Sequence, residues 1–134
     1  SYWRGWLDSP RYRCVVPATS FVEYTDTTPK VAHWFGLGDE RPLFCFAGIW
    51  RPWSGIRGKE DATHLLFSIL TTDVNDLTGP IHAEAMPVML TGGDIDVWLD
   101  GSTENALALA KPFPADQMKI VLSGPREDTA GGHA

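Results

Sequence analysis

The sequence predicts one α+β domain that is mostly β. Its apolar runs are rich in β-branched and aromatic residues, which favour strands. The 13 glycines and 10 prolines lie mostly between those runs, as expected for a sheet whose strands are joined by turns. With 134 residues, of which 43% are apolar, the chain is long enough to bury a core without a metal or a disulfide.

Six such runs are predicted to form a mostly antiparallel sheet. The first, Cys14 to Tyr24, contains Pro17, which favours an edge position or a bulge. The third, Leu43 to Trp50, is apolar on both faces and is therefore expected to be central. The remaining predicted strands are 31–37, 63–72 (again expected to be buried), 85–90 and 118–122. Residues 51–62 contain Gly, Pro and charged residues and are predicted to form a loop.

Short helices are predicted at the periphery of the sheet, where apolar residues recur with helical spacing; all but the N-terminal stripe follow a capping residue. The small and polar tail, residues 124–134, is expected to be disordered. The predicted helical segments are a stripe of Trp3, Trp6 and Leu7, one turn at 73–77 capped by Thr72 or Asp73, a helix at 93–99 between Thr91 and Gly101, and another from Ser102 or Thr103 to about Lys111.

The cysteine content and the hydropathy of the chain exclude several classes of protein. Cys14 and Cys45 each lie inside an apolar run, and no Cys or His spacing is typical of zinc. We therefore expect reduced core thiols, no metal and no cofactor. No apolar run approaches the ~18 residues that a membrane span needs, and no signal peptide is visible. These features predict a cytoplasmic protein that does not bind membranes.

The charge of the chain counts against general affinity for nucleic acid. The net charge is −6 and the isoelectric point is near 5.0, whereas binding to phosphates depends on Lys and Arg. The basic residues are distributed unevenly, however, because eight of the eleven fall within the first 60 positions.

Glu23 and His82 are the first candidates for chemistry. Glu23 lies in a run of apolar and hydroxyl-bearing residues, where its carboxylate is either on the solvent face or partly buried with a raised pKa. The alternation of residues along this run leaves both faces open. His82 lies in a loop bounded by Gly and Pro, where an imidazole either exchanges protons near neutral pH or simply hydrogen-bonds the loop.

Thr71, Arg51 and Trp53 are candidates for contact with nucleic acid. Thr71 belongs to the hydroxyl-rich end of a strand, which either binds a phosphate or sugar oxygen or caps the segment that follows. Arg51 and Trp53 offer a cation and an aromatic face, the two groups that single-stranded nucleic acid requires. The alternative is that Trp53 only covers the predicted loop.

Four motifs, in order and with compatible spacing between Arg13 and Leu122, resemble the SOS response-associated peptidase (SRAP) family. They are Arg13-Cys14-Val15-Val16-Pro17 followed by Phe21-Val22-Glu23-Tyr24, then Ala47-Gly48-Ile49-Trp50, then Leu70-Thr71-Thr72, and finally Pro80-Ile81-His82 followed by Met86-Pro87-Val88.

The resemblance implies a single SRAP-type domain with mixed or antiparallel, barrel-like sheets. It implies a protein of the DNA-damage (SOS) response that recognises abasic sites in single-stranded DNA and forms a DNA–protein crosslink. Further implications are an associated autopeptidase (hydrolase) activity and lyase chemistry at abasic sites. It also implies that Glu23 transfers protons during Schiff-base formation and self-cleavage. His82 would act as acid or base at the opening deoxyribose ring, and Thr71 would lie near the DNA. A monomer is expected.

Three departures from the family pattern modify this expectation. The Met-Cys-Gly start, whose cysteine forms a thiazolidine with the abasic-site aldehyde, and the Asn-x-Arg segment are absent, and Glu84 replaces a basic residue. We therefore expect residues 1–134 to be the C-terminal two-thirds of the domain and to be inactive alone. Whether the chain is itself an enzyme stays open.

Two other functions remain compatible with the sequence. One is a non-catalytic remnant that binds single-stranded DNA or a protein. The other is a binder of small molecules, for which we expect a closed apolar pocket with Glu23 and His82 on different faces.

Overall fold

The computed structural model describes residues 7–129, and it confirms an α+β fold that is mostly β. All of the strand pairings among these residues are antiparallel. The elements are β1 (Arg13–Ala18), β2 (Phe21–Tyr24), β3 (Ala32–Gly36), β4 (Phe44–Arg57), β5 (Glu60–Ile69), β6 (Thr71–Thr72), β7 (Met86–Pro87), β8 (Met89–Leu90), α1 (Gly93–Asp100), α2 (Thr103–Leu107) and β9 (Lys119–Gly124), with 3-10 turns at Pro10–Tyr12 and Ala115–Gln117.

The strands form three sheets rather than one. The first has the order β1-β4-β5, with β8 also paired to β4, the second has the order β2-β3-β9, and the third contains only β6 and β7. The expected barrel-like closure is wrong for the part of the chain that the structure describes. Among residues 7–129, β1 and β5 each pair only with β4, so this part of the first sheet has two open edges.

The central position that was predicted for the third apolar run is confirmed, because β4 pairs with three other strands. Side chains alternate between the two faces of β4, and each face carries its own buried cluster. Phe44 and Phe46 belong to one cluster together with Met86 and Met89. The second cluster contains Ala47, Ile49, Val88, Leu90, Trp98 and Ala106. The core therefore lies on both sides of β4, and α1 covers one of them.

The predicted loop at 51–62 is wrong, since these residues extend β4 and β5 into a long hairpin. A two-residue turn joins the strands after the Arg57–Glu60 pair, and Gly58 there has a φ of +61°, which favours glycine. The predicted burial of 63–72 is also wrong. Leu65 and Phe67 are 72% and 60% exposed, because nothing among the described residues covers that face of the hairpin.

Two predicted strands are each divided between sheets. The run from Cys14 to Tyr24 leaves the first sheet after Ala18 and joins the second at Phe21. The run 85–90 likewise contributes β7 to the third sheet and β8 to the first. A periodicity of two identifies extended backbone, but it does not show which sheet provides the hydrogen-bonding partner.

The predicted helical turn at 73–77 is wrong, because Asn75 competes for the backbone donors. Its side-chain oxygen accepts from the backbone N–H of Leu77 at 3.0 Å and of Thr78 at 2.9 Å. The segment therefore forms consecutive turns instead of a helix with Thr72 or Asp73 as its cap.

The two later helices are confirmed with different ends. α1 ends at Gly101 as predicted, but Gly92 rather than Thr91 precedes it, and no side chain caps it. Ser102 caps α2 by accepting from the Asn105 N–H at 3.1 Å, and α2 ends at Leu107, short of Lys111. Neither these helices nor any other among residues 7–129 is long and apolar enough to cross a membrane.

The two ends of the chain are described only in part. Trp3 and Trp6 of the predicted N-terminal stripe, and residues 130–134 of the tail, lie outside the described residues. Gly124 is the last residue of β9, and Asp128 beyond it forms an ion pair with Arg41 and accepts from the Ser20 hydroxyl at 2.5 Å. Disorder of the whole tail stays a prediction.

Candidate active site

Three of the five predicted site residues line one cleft. Glu23 comes from β2, Thr71 from β6, and His82 from the turn that precedes β7. The cleft has a volume of about 320 Å³, and it opens to solvent between the second and third sheets. Its apolar walls are formed mainly by Phe21, Phe46, Ile69 and Met86.

The packing of Phe21 determines which face of β2 carries Glu23. The Phe21 ring stacks on Phe35 with centroids 5.4 Å apart and meets Phe46 edge-on at 5.8 Å. Residues two apart in a strand share a face, so Glu23 follows Phe21 toward the same cleft. The Glu23 side chain is 22% exposed. The partly buried alternative, rather than the solvated one, therefore holds for Glu23.

A series of turns holds His82 in place. The backbone N–H of His82 donates to the Thr78 carbonyl at 2.9 Å, and Thr78 is fully buried. The Asn75 amide, which organises the same turns, donates to the Phe113 carbonyl at 2.7 Å. His82 is therefore carried by a loop that is anchored to the core, which is how a reactive side chain is kept in one position.

The two ionisable groups of the cleft face each other. His82 Nδ1 lies 3.7 Å from Glu23 Oε2, which is an ion-pair distance when the imidazole is protonated and is longer than a hydrogen bond. Burial raises the pKa of the Glu23 carboxyl above its ordinary value, and the nearby His82 charge opposes that rise. A carboxyl that holds its proton more tightly than usual, next to an imidazole, is an arrangement suited to proton transfer.

Glu23→Gln is expected to stabilise the fold at neutral pH and to leave stability at pH 4 almost unchanged. The raised pKa of Glu23 means that the folded state binds this proton more tightly than the unfolded state does. The resulting stabilisation is fully present below the unfolded pKa and is lost as pH rises through the folded pKa. Gln does not titrate. The difference in melting temperature, variant minus wild type, should therefore increase as the pH rises from about 4.3 to 7.

Glu60→Gln, at the exposed start of β5, is the control for the loss of one carboxylate. The burial explanation fails if both variants give the same pH dependence of melting temperature.

Arg51 and Trp53 do not reach the cleft. Both lie on the hairpin, and Trp53 packs on His64 with ring centroids 6.0 Å apart. Phe46 lines the cleft, and Trp53 is seven residues farther along β4, or about 23 Å in an extended strand. Their contact with nucleic acid stays a prediction.

A second cleft, which sequence reasoning did not identify, adjoins the first. Its volume is about 350 Å³, and it lies between the β2–β3 connection and the turn carrying His82. Tyr24, Asp26, Lys30 and Glu84 provide its polar lining, and His82 lines both clefts. No local signal in the sequence links Lys30 to His82, because only the fold brings the two loops together.

Neither cysteine lines either cleft. Cys45 is buried in β4, and Cys14 is half-buried in β1, where burial raises the pKa of its thiol and disfavours the reactive thiolate. Residues 7–129 contain no group of three or more His, Cys, Asp or Glu side chains that could hold a metal ion.

Known families provide an independent comparison for this arrangement. A family model described as SOS response associated peptidase (SRAP) matches residues 1–122. The chain belongs to the SRAP family. The match spans all four motifs and both ionisable residues of the cleft, so the resemblance inferred from the motifs is confirmed.

Among curated SRAP relatives are two proteins of Bacillus subtilis (strain 168). The abasic site processing protein YoqW is 32% identical over 111 residues, which are 80% of this chain and 48% of the relative. The abasic site processing protein YoaM is 30% identical over 128 residues, which are 88% of this chain and 54% of the relative. The chain thus spans about half the length of the curated relatives that it matches.

Solved structures agree with the fold. A protein from Bacteroides thetaiotaomicron superimposes with a TM-score of 0.74 at 29% identity, covering 98% of this chain and 60% of the other. A protein from Bordetella bronchiseptica gives a TM-score of 0.71 at 21% identity, covering 90% and 57%, and supports the fold alone.

Proposed function

We propose that this chain carries the acid–base part of a site that recognises abasic sites in single-stranded DNA and supports the formation of a DNA–protein crosslink. The observation that carries the proposal is the Glu23–His82 pair beside Thr71 in an open cleft. The names of the curated relatives, which are abasic site processing proteins, point to the same substrate.

The cleft has room for the sugar of an abasic site. An abasic site lacks its base, so the opened deoxyribose can enter a cleft of about 320 Å³ while the neighbouring nucleotides stay outside. Thr71 is exposed at the start of β6, and its hydroxyl is available to a phosphate or sugar oxygen. In this arrangement the sugar aldehyde lies against the facing carboxyl and imidazole, within reach of both groups.

Proton transfer assigns separate roles to the two ionisable groups. The Glu23 carboxyl, whose pKa is raised by burial, donates a proton to the aldehyde oxygen as an amine adds, so that the oxygen leaves as water. The His82 imidazole, 3.7 Å from this carboxyl, accepts and returns protons during opening of the deoxyribose ring. The same carboxyl is proposed to serve the associated autopeptidase activity.

The thiazolidine nucleophile implied by the resemblance is not supplied by Cys14 or Cys45. Cys45 is buried, Cys14 is half-buried in β1, and neither lines the cleft. We therefore expect the 134 residues to bind abasic DNA without forming a thiazolidine adduct. Arg51 and Trp53 would add contacts only for DNA that follows the hairpin away from the cleft.

A crosslinking gel tests the proposal. Single-stranded DNA with one abasic site is incubated without borohydride, with the 134-residue chain and with a version extended at its N-terminus by a segment that begins Met-Cys-Gly. The expected result is a stable adduct with the extended protein alone. Binding is measured in parallel by fluorescence anisotropy with Thr71→Ala, Arg51→Ala and Trp53→Ala, of which Thr71→Ala should weaken it most.

Different results would favour other functions. A stable adduct with the 134-residue chain itself would overturn the account of the nucleophile. Binding without an adduct from either protein would favour the non-catalytic remnant. The absence of both binding and adduct would favour a protein-binding role, for which the exposed Leu65 and Phe67 provide a surface.

A further inference from the structure

A second histidine lies on the same face of the second sheet as Glu23. In the antiparallel pairing of β2 with β3, His33 is directly opposite Glu23. Side chains at directly opposite positions of an antiparallel pair point to the same face, with Cβ atoms about 4.5–5.5 Å apart. On the other side of β3, His33 is opposite Ser123 of β9. Glu23, His33 and Ser123 therefore form one polar row across all three strands of this sheet.

An irregularity in the pairing of β9 places a hydroxyl group opposite His33. The register between β3 and β9 shifts by one residue next to the pair formed by Phe35 and Ile120. Because of this shift, Ser123 rather than the apolar Leu122 is opposite His33. β-Bulges re-aim side chains in this way, and they are over-represented next to active sites. The irregularity therefore provides His33 with a hydrogen-bonding partner.

The Ser123 hydroxyl fixes one nitrogen of the His33 ring and leaves the other free. Ser123 Oγ lies 2.8 Å from His33 Nδ1. Within residues 7–129, no protein group hydrogen-bonds the second ring nitrogen, Nε2. The His33 residue is half-buried and Ser123 is exposed, so water reaches this end of the row. An imidazole held at one nitrogen in this way can exchange a proton with water at the other.

The Glu23 carboxyl needs another route to solvent once DNA occupies the cleft. Its side chain is 22% exposed, and a sugar bound in the cleft covers the carboxyl on that side. The aldehyde oxygen takes up two protons before it leaves as water, so a single carboxyl is reprotonated during the reaction. The attacking amine releases two protons, so the overall reaction consumes none. His33 does not line the cleft, and it therefore stays in contact with water outside it.

We propose that His33 relays protons between solvent and the Glu23 carboxyl, and that Ser123 fixes its ring for this transfer. The inference rests on the proposed function, in which Glu23 is the proton donor, and it adds a residue that acts through Glu23 without touching the DNA. The imidazole gives one proton to Glu23 and takes up another from solvent. His82 is the only ion-pair partner of Glu23 among residues 7–129, so the proton from His33 passes through one water molecule.

Chemical rescue tests this proposal, because added imidazole replaces a proton carrier but not a structural contact. The single-turnover rate of adduct formation on abasic single-stranded DNA is measured in the N-terminally extended protein, with and without imidazole in solution. His33→Ala should slow the reaction by about 10-fold, less than the loss of a positioned acid or base would, because water still reaches Glu23 slowly. Added imidazole should restore most of the rate to His33→Ala and leave the wild type unchanged.

Further variants separate proton transfer from packing. His33→Gln keeps a polar side chain beside Ser123 but carries no proton at neutral pH, so it should be as slow as His33→Ala. Ser123→Ala keeps the imidazole and should lose less of the rate. His64→Ala, on the hairpin, is the matched control and should react like the wild type, and melting curves show whether each variant is folded. A wild-type rate in His33→Ala, or a loss that imidazole does not restore, overturns the proposal.

Parallel measurements on Glu23→Gln and His82→Ala separate this inference from the proposed function. If these two variants are slow and His33→Ala reacts at the wild-type rate, only the relay through His33 is overturned. If neither Glu23→Gln nor His82→Ala changes the rate, the acid–base roles of the proposed function fail, and the relay fails with them. Slow reaction of all three variants, with rescue by imidazole at position 33, supports both.

Discussion

In the N-terminally extended protein, His82→Ala should slow adduct formation on abasic single-stranded DNA by about 100-fold or more, which is the lower range for loss of a positioned acid or base. His82 faces the Glu23 carboxyl at 3.7 Å, and its backbone is anchored to buried Thr78. Alanine removes the imidazole and leaves that anchor in place. The affinity for single-stranded DNA that carries tetrahydrofuran in place of the abasic sugar, and so has no aldehyde, should therefore change much less than the rate of adduct formation.

The measurement is a single-turnover time course of adduct formation on a gel. His64→Ala is the matched control, because His64 lies on β5 five residues from Ile69 at the cleft, or about 17 Å along an extended strand. Equal rates for His82→Ala and the wild type would remove His82 from the mechanism. An equal loss in both histidine variants would indicate a general effect on the fold.

Trp98→Ala should reduce the free energy of unfolding by about 3–5 kcal/mol, the usual cost of deleting a large buried aromatic side chain. Trp98 is 0% exposed and belongs to the cluster on the face of β4 that α1 covers. Its indole N–H donates to the Cys14 carbonyl at 2.8 Å and the Gly48 carbonyl at 3.1 Å. Domains are stable by only about 5–15 kcal/mol, so the variant should be largely destabilised at 37 °C.

Urea unfolding, followed by fluorescence and by circular dichroism, provides the measurement. Trp98→Phe should recover part of the loss, because it refills most of the space but leaves the two carbonyls without their donor. Trp53→Ala is the control for the removal of a tryptophan, since Trp53 lies half-buried on the hairpin outside both clusters. Equal destabilisation by the changes at positions 98 and 53 would contradict this account of the core.

The elements that were predicted correctly have local causes. The apolar character of Phe44 to Trp50 on both faces follows from the residues themselves, and this run forms the N-terminal half of β4, the central strand of its sheet. Gly101 ends α1, and Ser102 caps α2 through its own hydroxyl, so these boundaries require no distant partner. The same reasoning failed at Thr91 and at 73–77, where other nearby residues determine the backbone.

The elements that were predicted wrongly depend on partners far away in the chain. The run 51–62 contains turn-forming residues, yet most of it is strand because residues 51–57 of β4 pair with residues of β5, which begins at Glu60. Leu65 and Phe67 have the composition of a buried strand, yet they are exposed because burial depends on what packs against the hairpin. Hydrophobicity alone indicates which side chains favour burial, and it does not provide the surface that buries them.

By itself, the sequence determined the fold class, the family and the identity of Glu23, His82 and Thr71 as candidates, because residue types, turn signals and motif spacing are properties of the chain itself. Only the tertiary structure decided that Glu23 lies in the cleft, since alternation in β2 is equally compatible with both faces until Phe21 packs on Phe35 and Phe46. The structure likewise decided that Lys30 shares a cleft with His82. These residues are 52 positions apart, and their proximity depends on how the sheets are arranged rather than on any local preference.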